Sequence, residues 1–190
     1  RNPSKKVKKV KEPVKRKKAI DDIDIEVMRN AIMKSGNDKT RYGKINSKRN
    51  RAIFELLLSS GIRIGGLVNL KTSDVDLENR SAVTFEKGNK ERMVYLNNAC
   101  INAINNYLEV RPKEGIKDKD ALFLSSVKKR ISRRAIQQML EIELKKAGIS
   151  TRGITPHKLR HTAATLMYQY GEVDIRALQK VLRTCKYIYN

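Results

Sequence analysis

The chain has 190 residues, 39% hydrophobic and 33% charged, enough for one domain with its own core and too little for two full-sized ones. It has no apolar run near the roughly 18 residues of a membrane span, its charged first residues are not expected to form a secretory signal, and its two cysteines, Cys100 and Cys185, are too few for a disulfide framework or a four-ligand zinc site. Forty-two Lys and Arg against twenty Asp and Glu leave a net charge of +22, which favours a polyanionic partner, nucleic acid before membrane, because no amphipathic Trp/Phe-rich segment is present. A reducing, cytosolic setting is expected.

Residues 1–18 hold ten of the basic residues, among them Lys15, Arg16, Lys17 and Lys18, against the single acid Glu12. With Pro3, Pro13 and little to bury, this stretch reads as a basic linker or arm. It suggests a chain that continues upstream, and it leaves residues 19–190 as the folded unit. That unit keeps +13 of the charge, so the excess is not confined to a tail.

Asp22 or Asp24 is expected to cap a helix running to about Lys34, with Ile25, Met28 and Ile32 on one face. Gly36 to Lys44 reads as a polar loop. Ser47 then caps a helix whose core face carries Ile53, Leu56 and Leu57 and which stops near Ser60-Gly61. A further helix starts close to Arg63 and ends about Leu70. Residues 81–96 predict a hairpin in which Val83 and Phe85 share one strand face, Glu86 to Arg92 hold the turn, and Met93 to Leu96 return. Asn97 caps a helix with Ile101, Ile104 and Leu108 in register, and Ala121 to Leu124 reads as a short extended piece. Ser132 opens a helix carrying Ile136, Leu140, Leu144 and Ala147, ended by Gly148. Thr155-Pro156 combines an N-cap with proline at the first helical position, and that helix continues to about Gly171. Asp174 caps a last helix to at least Leu182. The expected fold is mainly α with one small antiparallel β-sheet, an α+β class.

Chemistry concentrates in Thr155-Pro156-His157-Lys158-Leu159-Arg160-His161. His157 and Arg160 stand at i and i+3 on one helix face, near a helix start that favours an anion. Arginine suits phosphate because its planar fork donates two parallel hydrogen bonds. Arg63 sits between Ile62 and Ile64 after a helix stop, and a half-buried arginine needs a partner, for which a substrate phosphate is a candidate. The hairpin turn Glu86-Lys87-Gly88-Asn89-Lys90-Glu91-Arg92 presents lysines at a tip.

Taken in order, Gly61-Ile62-Arg63-Ile64, Lys87-Gly88-Asn89-Lys90-Glu91-Arg92 and Thr155-Pro156-His157-Lys158-Leu159-Arg160-His161-Thr162 resemble the catalytic domain of the tyrosine recombinase/phage integrase family. Asp174-Ile175-Arg176 with Leu178-Gln179 fits that family's penultimate helix, so the resemblance covers about residues 20–182. It implies DNA strand exchange through a covalent 3′-phosphotyrosyl intermediate, with no metal and no nucleotide cofactor. By position, Arg63 and Arg160 would clamp the non-bridging oxygens of the scissile phosphate and stabilise its transition-state charge. His157 would add a hydrogen bond or move a proton. Lys87 matches the lysine that protonates the leaving 5′-oxygen, with Lys90 as fallback. Arg92 and Lys158, with Lys90 and Lys15 to Lys18, would contact DNA, while His161 reads as structural packing. The nucleophile would be a C-terminal tyrosine, whose phenol has a pKa of about 10 and so needs the surrounding cations. With Thr184 as the second threonine of the family's closing Thr-Thr-x-x-Tyr pattern, Thr184-Cys185-Lys186-Tyr187 fits and favours Tyr187, with Tyr189 the alternative; with Thr184 as the first, neither tyrosine is in register.

Two positions depart from the family pattern. Leu182-Arg183-Thr184 stands where Leu-Gly-His is usual, either a true loss of the third phosphate-binding histidine or a skipped loop. Gly66 stands where an acid usually follows the first arginine by three residues. The resemblance further implies double-stranded DNA at specific sites as the partner and a homotetramer on DNA, with a monomer in solution for the chain alone. It implies a cytoplasmic, nucleoid-associated location in a prokaryote or its mobile element. The alternative is a degenerate relative that binds DNA without cutting it; a type IB topoisomerase shares the chemistry but not the short motif spacing.

Overall fold

The computed structural model describes residue 20 and residues 22–34, 40–86, 90–148 and 155–170. Among the described residues the elements follow in chain order as α1 (Asp22–Lys34), α2 (Arg41–Ser60), α3 (Ile64–Asn69), β1 (Val75–Asp76), β2 (Ser81–Glu86), β3 (Lys90–Tyr95), α4 (Asn98–Val110), α5 (Arg133–Lys146) and α6 (Pro156–Tyr170), with a 3₁₀ turn at Thr72–Asp74. This is the expected mostly helical fold with a small antiparallel sheet.

The longest helix, α2, is the central element, packing against α1, α4 and α6. From Asn50 onward almost every residue is buried, with Ile53, Phe54, Leu56 and Leu57 wholly so. It starts earlier than the sequence suggests. Thr40, not Ser47, is its N-cap, its hydroxyl accepting from the Gly43 N–H at 3.1 Å. Ser47 lies inside the helix, and its hydroxyl donates to the Ile32 carbonyl at 3.2 Å, tying α2 to the end of α1. The first two turns are polar and barely reach the core, which is why they read as loop.

Asp22 and Asp24, expected as caps, both lie inside the first turn of α1, whereas three other helix starts and the end of α2 fall at the expected capping residues. Asn97 accepts from the Cys100 N–H at 2.9 Å, Ser132 from Ala135 N–H at 3.1 Å, and Thr155 from Lys158 N–H at 3.2 Å. Gly61 ends α2 in the left-handed region, φ 55°, a conformation glycine adopts without a Cβ penalty.

The sheet runs in the order β1-β2-β3, antiparallel throughout, from Ser81↔Tyr95 to Glu86↔Lys90. The return strand begins at Lys90, three residues before the expected Met93, and β1 was not anticipated. Val83 and Phe85 do share a face, but the buried face is the other one, carrying Ala82, Thr84 and Val94. Ala121 to Leu124, expected as a short extended piece, instead bends at residues 122 and 123 between two isolated bridges, Ala121 to Lys71 and Leu124 to Arg130. Inside, Tyr107 stacks on Phe123 with centroids 5.6 Å apart and its hydroxyl accepts from the Leu124 N–H at 3.1 Å. Glu55 is fully buried, held by Arg29 at 2.9 Å and Arg51 at 2.8 Å. The expected helix at Asp174–Leu182 lies outside the described residues.

Candidate active site

The turn between α2 and α3 carries Arg63 and is fixed by local bonds. The Ser60 hydroxyl donates to the Leu56 carbonyl at 2.6 Å and accepts from the Ile62 N–H at 3.2 Å. Ile62 is buried in the core, and Arg63 follows as the extended N-cap residue of α3, its carbonyl accepting from Leu67 N–H at 2.9 Å. Burying its neighbour while ending one helix and beginning the next leaves Arg63 half-buried at the surface.

Helix α6 lies against α2, which brings Arg160 under this turn. Arg160 is 7% exposed, and its guanidinium donates through Nη1 to the Gly61 carbonyl. Only Ile62 lies between Gly61 and Arg63, so the second arginine braces the segment carrying the first. His157, one turn earlier on α6, is exposed. It lines a cavity of about 480 Å³ together with Arg63, Ile64, Gly65, Gly66, Asn69, Thr84, Phe85 and Arg133. Helices α3, α5 and α6 and strand β2 thus converge on one basin. Its described lining has three cationic or protonatable side chains and no carboxylate, the surroundings an anion requires.

The structure therefore brings together Arg63 and His157 in the cavity, with Arg160 packed behind. Arg92 faces the same region from β3, directly opposite Thr84 in the ladder. Lys158 points from the next position of α6 and is half-buried. Lys90 is the first residue of β3, paired with Glu86. Lys87, Tyr187, Tyr189, Lys15, Arg16, Lys17 and Lys18 lie outside the described residues. A larger cavity, about 640 Å³ and lined by Arg41, Tyr42, Glu109 and Lys113 among others, holds none of these residues and mixes acids with its cations.

Three lining residues escaped the reading of the sequence. Thr84 is 2% exposed, and its hydroxyl has no hydrogen-bond partner among the described residues. Its Oγ1 stands 2.4 Å from where a Cβ on Gly66 would be, so the glycine and the threonine share one space. Gly65 lies under Arg133, whose guanidinium carbon would be 3.4 Å from a Cβ there. One signal was available: Arg133 and Arg134 occupy the first turn of α5, where the helix dipole disfavours cations.

Other chemistry finds little support. Cys100 is buried in α4, and burial raises its thiol well above the ordinary value, keeping it protonated. Among the described residues no group of three His, Cys, Asp or Glu side chains converges on a metal position, and no helix is long and apolar enough to cross a membrane.

A mainly helical domain with a three-stranded sheet thus presents arginine and histidine from separate elements around a basin with no carboxylate among its described lining residues. The chain belongs to the phage integrase family, whose profile matches residues 22–183. It is 52% identical over 135 residues to tyrosine recombinase XerC of Caldanaerobacter subterraneus subsp. tengcongensis, covering 71% of this chain and 38% of that protein. It is 40% identical over 141 residues to tyrosine recombinase XerD of Staphylococcus saprophyticus, covering 73% and 47%. The crystal structure of XerA recombinase superposes with a TM-score of 0.74 at 31% identity, covering 90% of this chain and 57% of that one. The chain thus spans about half or less of the length of these relatives. XerH site-specific recombinase, bound to palindromic difH substrate in a post-cleavage complex, shares the fold with a TM-score of 0.72 at 24% identity.

Proposed function

We propose that this chain is the catalytic domain of a site-specific DNA recombinase that cleaves and rejoins DNA through a 3′-phosphotyrosine intermediate. The observation that carries the reading is the cavity holding Arg63 and His157 with no carboxylate among its described lining residues, and with Arg160 bonded to the turn that bears Arg63. Arg63 and Arg160 serve the non-bridging oxygens of the scissile phosphate, where donors fixed in advance stabilise the charge of the pentacovalent transition state. His157 hydrogen-bonds the same phosphate or relays a proton. Lys87 protonates the leaving 5′-oxygen, with Lys90 as fallback. Tyr187 attacks phosphorus, with Tyr189 the alternative. Neither metal nor nucleotide cofactor takes part.

Lys158, Arg92 and Lys15 to Lys18 hold the DNA backbone. Residues 1–18 act as a linker to an upstream DNA-binding domain, and residues 19–190 as the breaking-rejoining domain. The active assembly is a tetramer on two DNA sites, and the setting is the cytoplasm of a bacterium or its mobile element. A second reading, binding without cleavage, draws on Gly66, which leaves the cavity without the acid the family usually has there. A reporter plasmid with two direct repeats of the native site separates the two. Expression of the full-length protein should delete the intervening DNA, and Arg63→Ala should abolish deletion. Site occupancy without deletion by the wild type would favour the second reading.

A further inference from the structure

We propose that Arg133 is a further phosphate-binding residue of this site, reaching the cavity because Gly65 has no side chain. The inference deepens the cleavage reading and rests on it for the identity of the anion, a DNA phosphodiester.

Four observations carry it. Arg133 lines the same cavity as Arg63 and His157, from a third element. The three atoms nearest to a Cβ built on Gly65 all belong to its guanidinium, with Nη2 at 2.9 Å, Cζ at 3.4 Å and Nε at 3.7 Å. The guanidinium therefore lies across bare backbone, and any side chain at residue 65 would displace it. The segment leading into α5 is fastened to α3, since Arg130 Nη1 donates to the Val68 carbonyl at 2.8 Å and to the Leu70 carbonyl at 3.2 Å. Ile131 is buried, and its N–H donates to the Phe123 carbonyl at 3.0 Å. Arg133 is thus presented to α3 by a pinned backbone.

Electrostatics give the anchor its purpose. Arg133 stands in the first turn of α5, beside free N–H groups and against the helix dipole. No carboxylate lines the cavity among the described residues. A cation in that position is relieved by an anion from outside. The wall also holds the buried, unpartnered hydroxyl of Thr84, a donor that no protein group in the described structure satisfies. The cavity is larger than one phosphate group, so Arg133 takes an oxygen of the scissile phosphodiester or of its neighbour on the same strand.

The test is a cycle on the full-length protein: wild type, Gly65→Ala, Arg133→Ala, the double variant, and Arg134→Ala. Arg134 is exposed on the same helix end and does not line the cavity, so it controls for charge alone. Two quantities are read: affinity for a duplex carrying the native site, and the rate of covalent adduct formation on a nicked version of it. Losing a charged hydrogen bond is worth roughly ten- to a hundredfold, so Arg133→Ala should lower the adduct rate by that factor, and Arg134→Ala by far less. Gly65→Ala should lower it too while raising thermal stability, and should leave the adduct rate and affinity unchanged once Arg133 is alanine. A Gly65→Ala effect that persists in the Arg133→Ala background, or equal losses from Arg133→Ala and Arg134→Ala, overturns the proposal. If the wild type forms no adduct, the cleavage reading fails, and the same non-additivity in affinity decides the phosphate contact by itself.

Discussion

Gly65 and Gly66 are neighbours in one short helix, yet alanine should act in opposite directions at the two. In a helix interior, replacing glycine by alanine is worth about 1 kcal/mol in favour of folding. At Gly65 the added Cβ meets only the end of the Arg133 side chain, which can swing away, so the gain survives. At Gly66 it would lie 2.4 Å from Thr84 Oγ1 and 3.3 Å from Ile62 Cγ1, both on buried residues. Overpacking of that kind costs about 1–3 kcal/mol, leaving a net loss of up to about 2 kcal/mol. For a chain of this size each kcal/mol moves the melting temperature by about 2–4 °C. Gly66→Ala should therefore lower it by several degrees, and Gly65→Ala raise it by a few. Thr84→Ala removes the obstructing hydroxyl, so Gly66→Ala should become neutral or stabilising in that background, a coupling of about 1–3 kcal/mol. Thermal unfolding followed by far-ultraviolet circular dichroism on the wild type, the three single variants and the Gly66→Ala/Thr84→Ala double variant reads this directly. Equal shifts from the two glycine variants, or additivity of Gly66→Ala with Thr84→Ala, would refute the geometry of the cavity wall.

Other consequences follow from the same structure. Glu55→Ala strips the partner from two arginines that keep some solvent, and should cost roughly 3 kcal/mol, the low end for breaking a buried ion pair; a urea midpoint within error of wild type would contradict it. The Cys100 thiol, raised by burial, should resist alkylation at neutral pH in the folded protein and react at a rate that rises with urea; fast labelling without denaturant would count against its burial. Asp76 accepts from the Asn79 N–H at 2.8 Å and Nδ2 at 2.7 Å, which lowers its pKa. Its contribution is complete above the unfolded value of about 3.9 and is lost as pH falls below it, so Asn79→Ala should weaken stability at pH 7 and lose that effect in acid. DNA affinity of the full-length protein should fall with salt at a slope of about −0.9 per phosphate neutralised, and removing the four cations at residues 15–18 should flatten the slope.

Much of this was readable from the chain. Capping residues carried the helix boundaries wherever a polar cap met a run of core spacing, as at Asn97, Ser132, Thr155 and Gly61, because the cap bond is local and needs nothing from the rest of the fold. The start of α2 was lost for the converse reason. Its first two turns project past the core, so no apolar periodicity marks them, and Ser47 uses its hydroxyl on α1 instead of on its own helix. Lys90 to Arg92 looks like turn by composition and becomes strand only by pairing with β2, so the sequence places the start of the return strand too late. Arg63, His157 and Arg160 were legible as an ordered set of motifs. Arg133, Gly65 and Thr84 were not, since their meaning lies in contacts between α3, α5 and β2 that no spacing in the sequence encodes.

The most direct test of the account is covalent trapping by the full-length protein on a nicked suicide duplex from the native recombination site, beside Tyr187→Phe, Tyr189→Phe and Arg160→Ala. Attack by Tyr187 on a phosphate held by Arg160 should give a denaturant-resistant protein–DNA adduct that persists in Tyr189→Phe and disappears in Tyr187→Phe and in Arg160→Ala. An adduct that survives Arg160→Ala, or no adduct from a wild type that still binds the duplex in a salt-sensitive way, would contradict it.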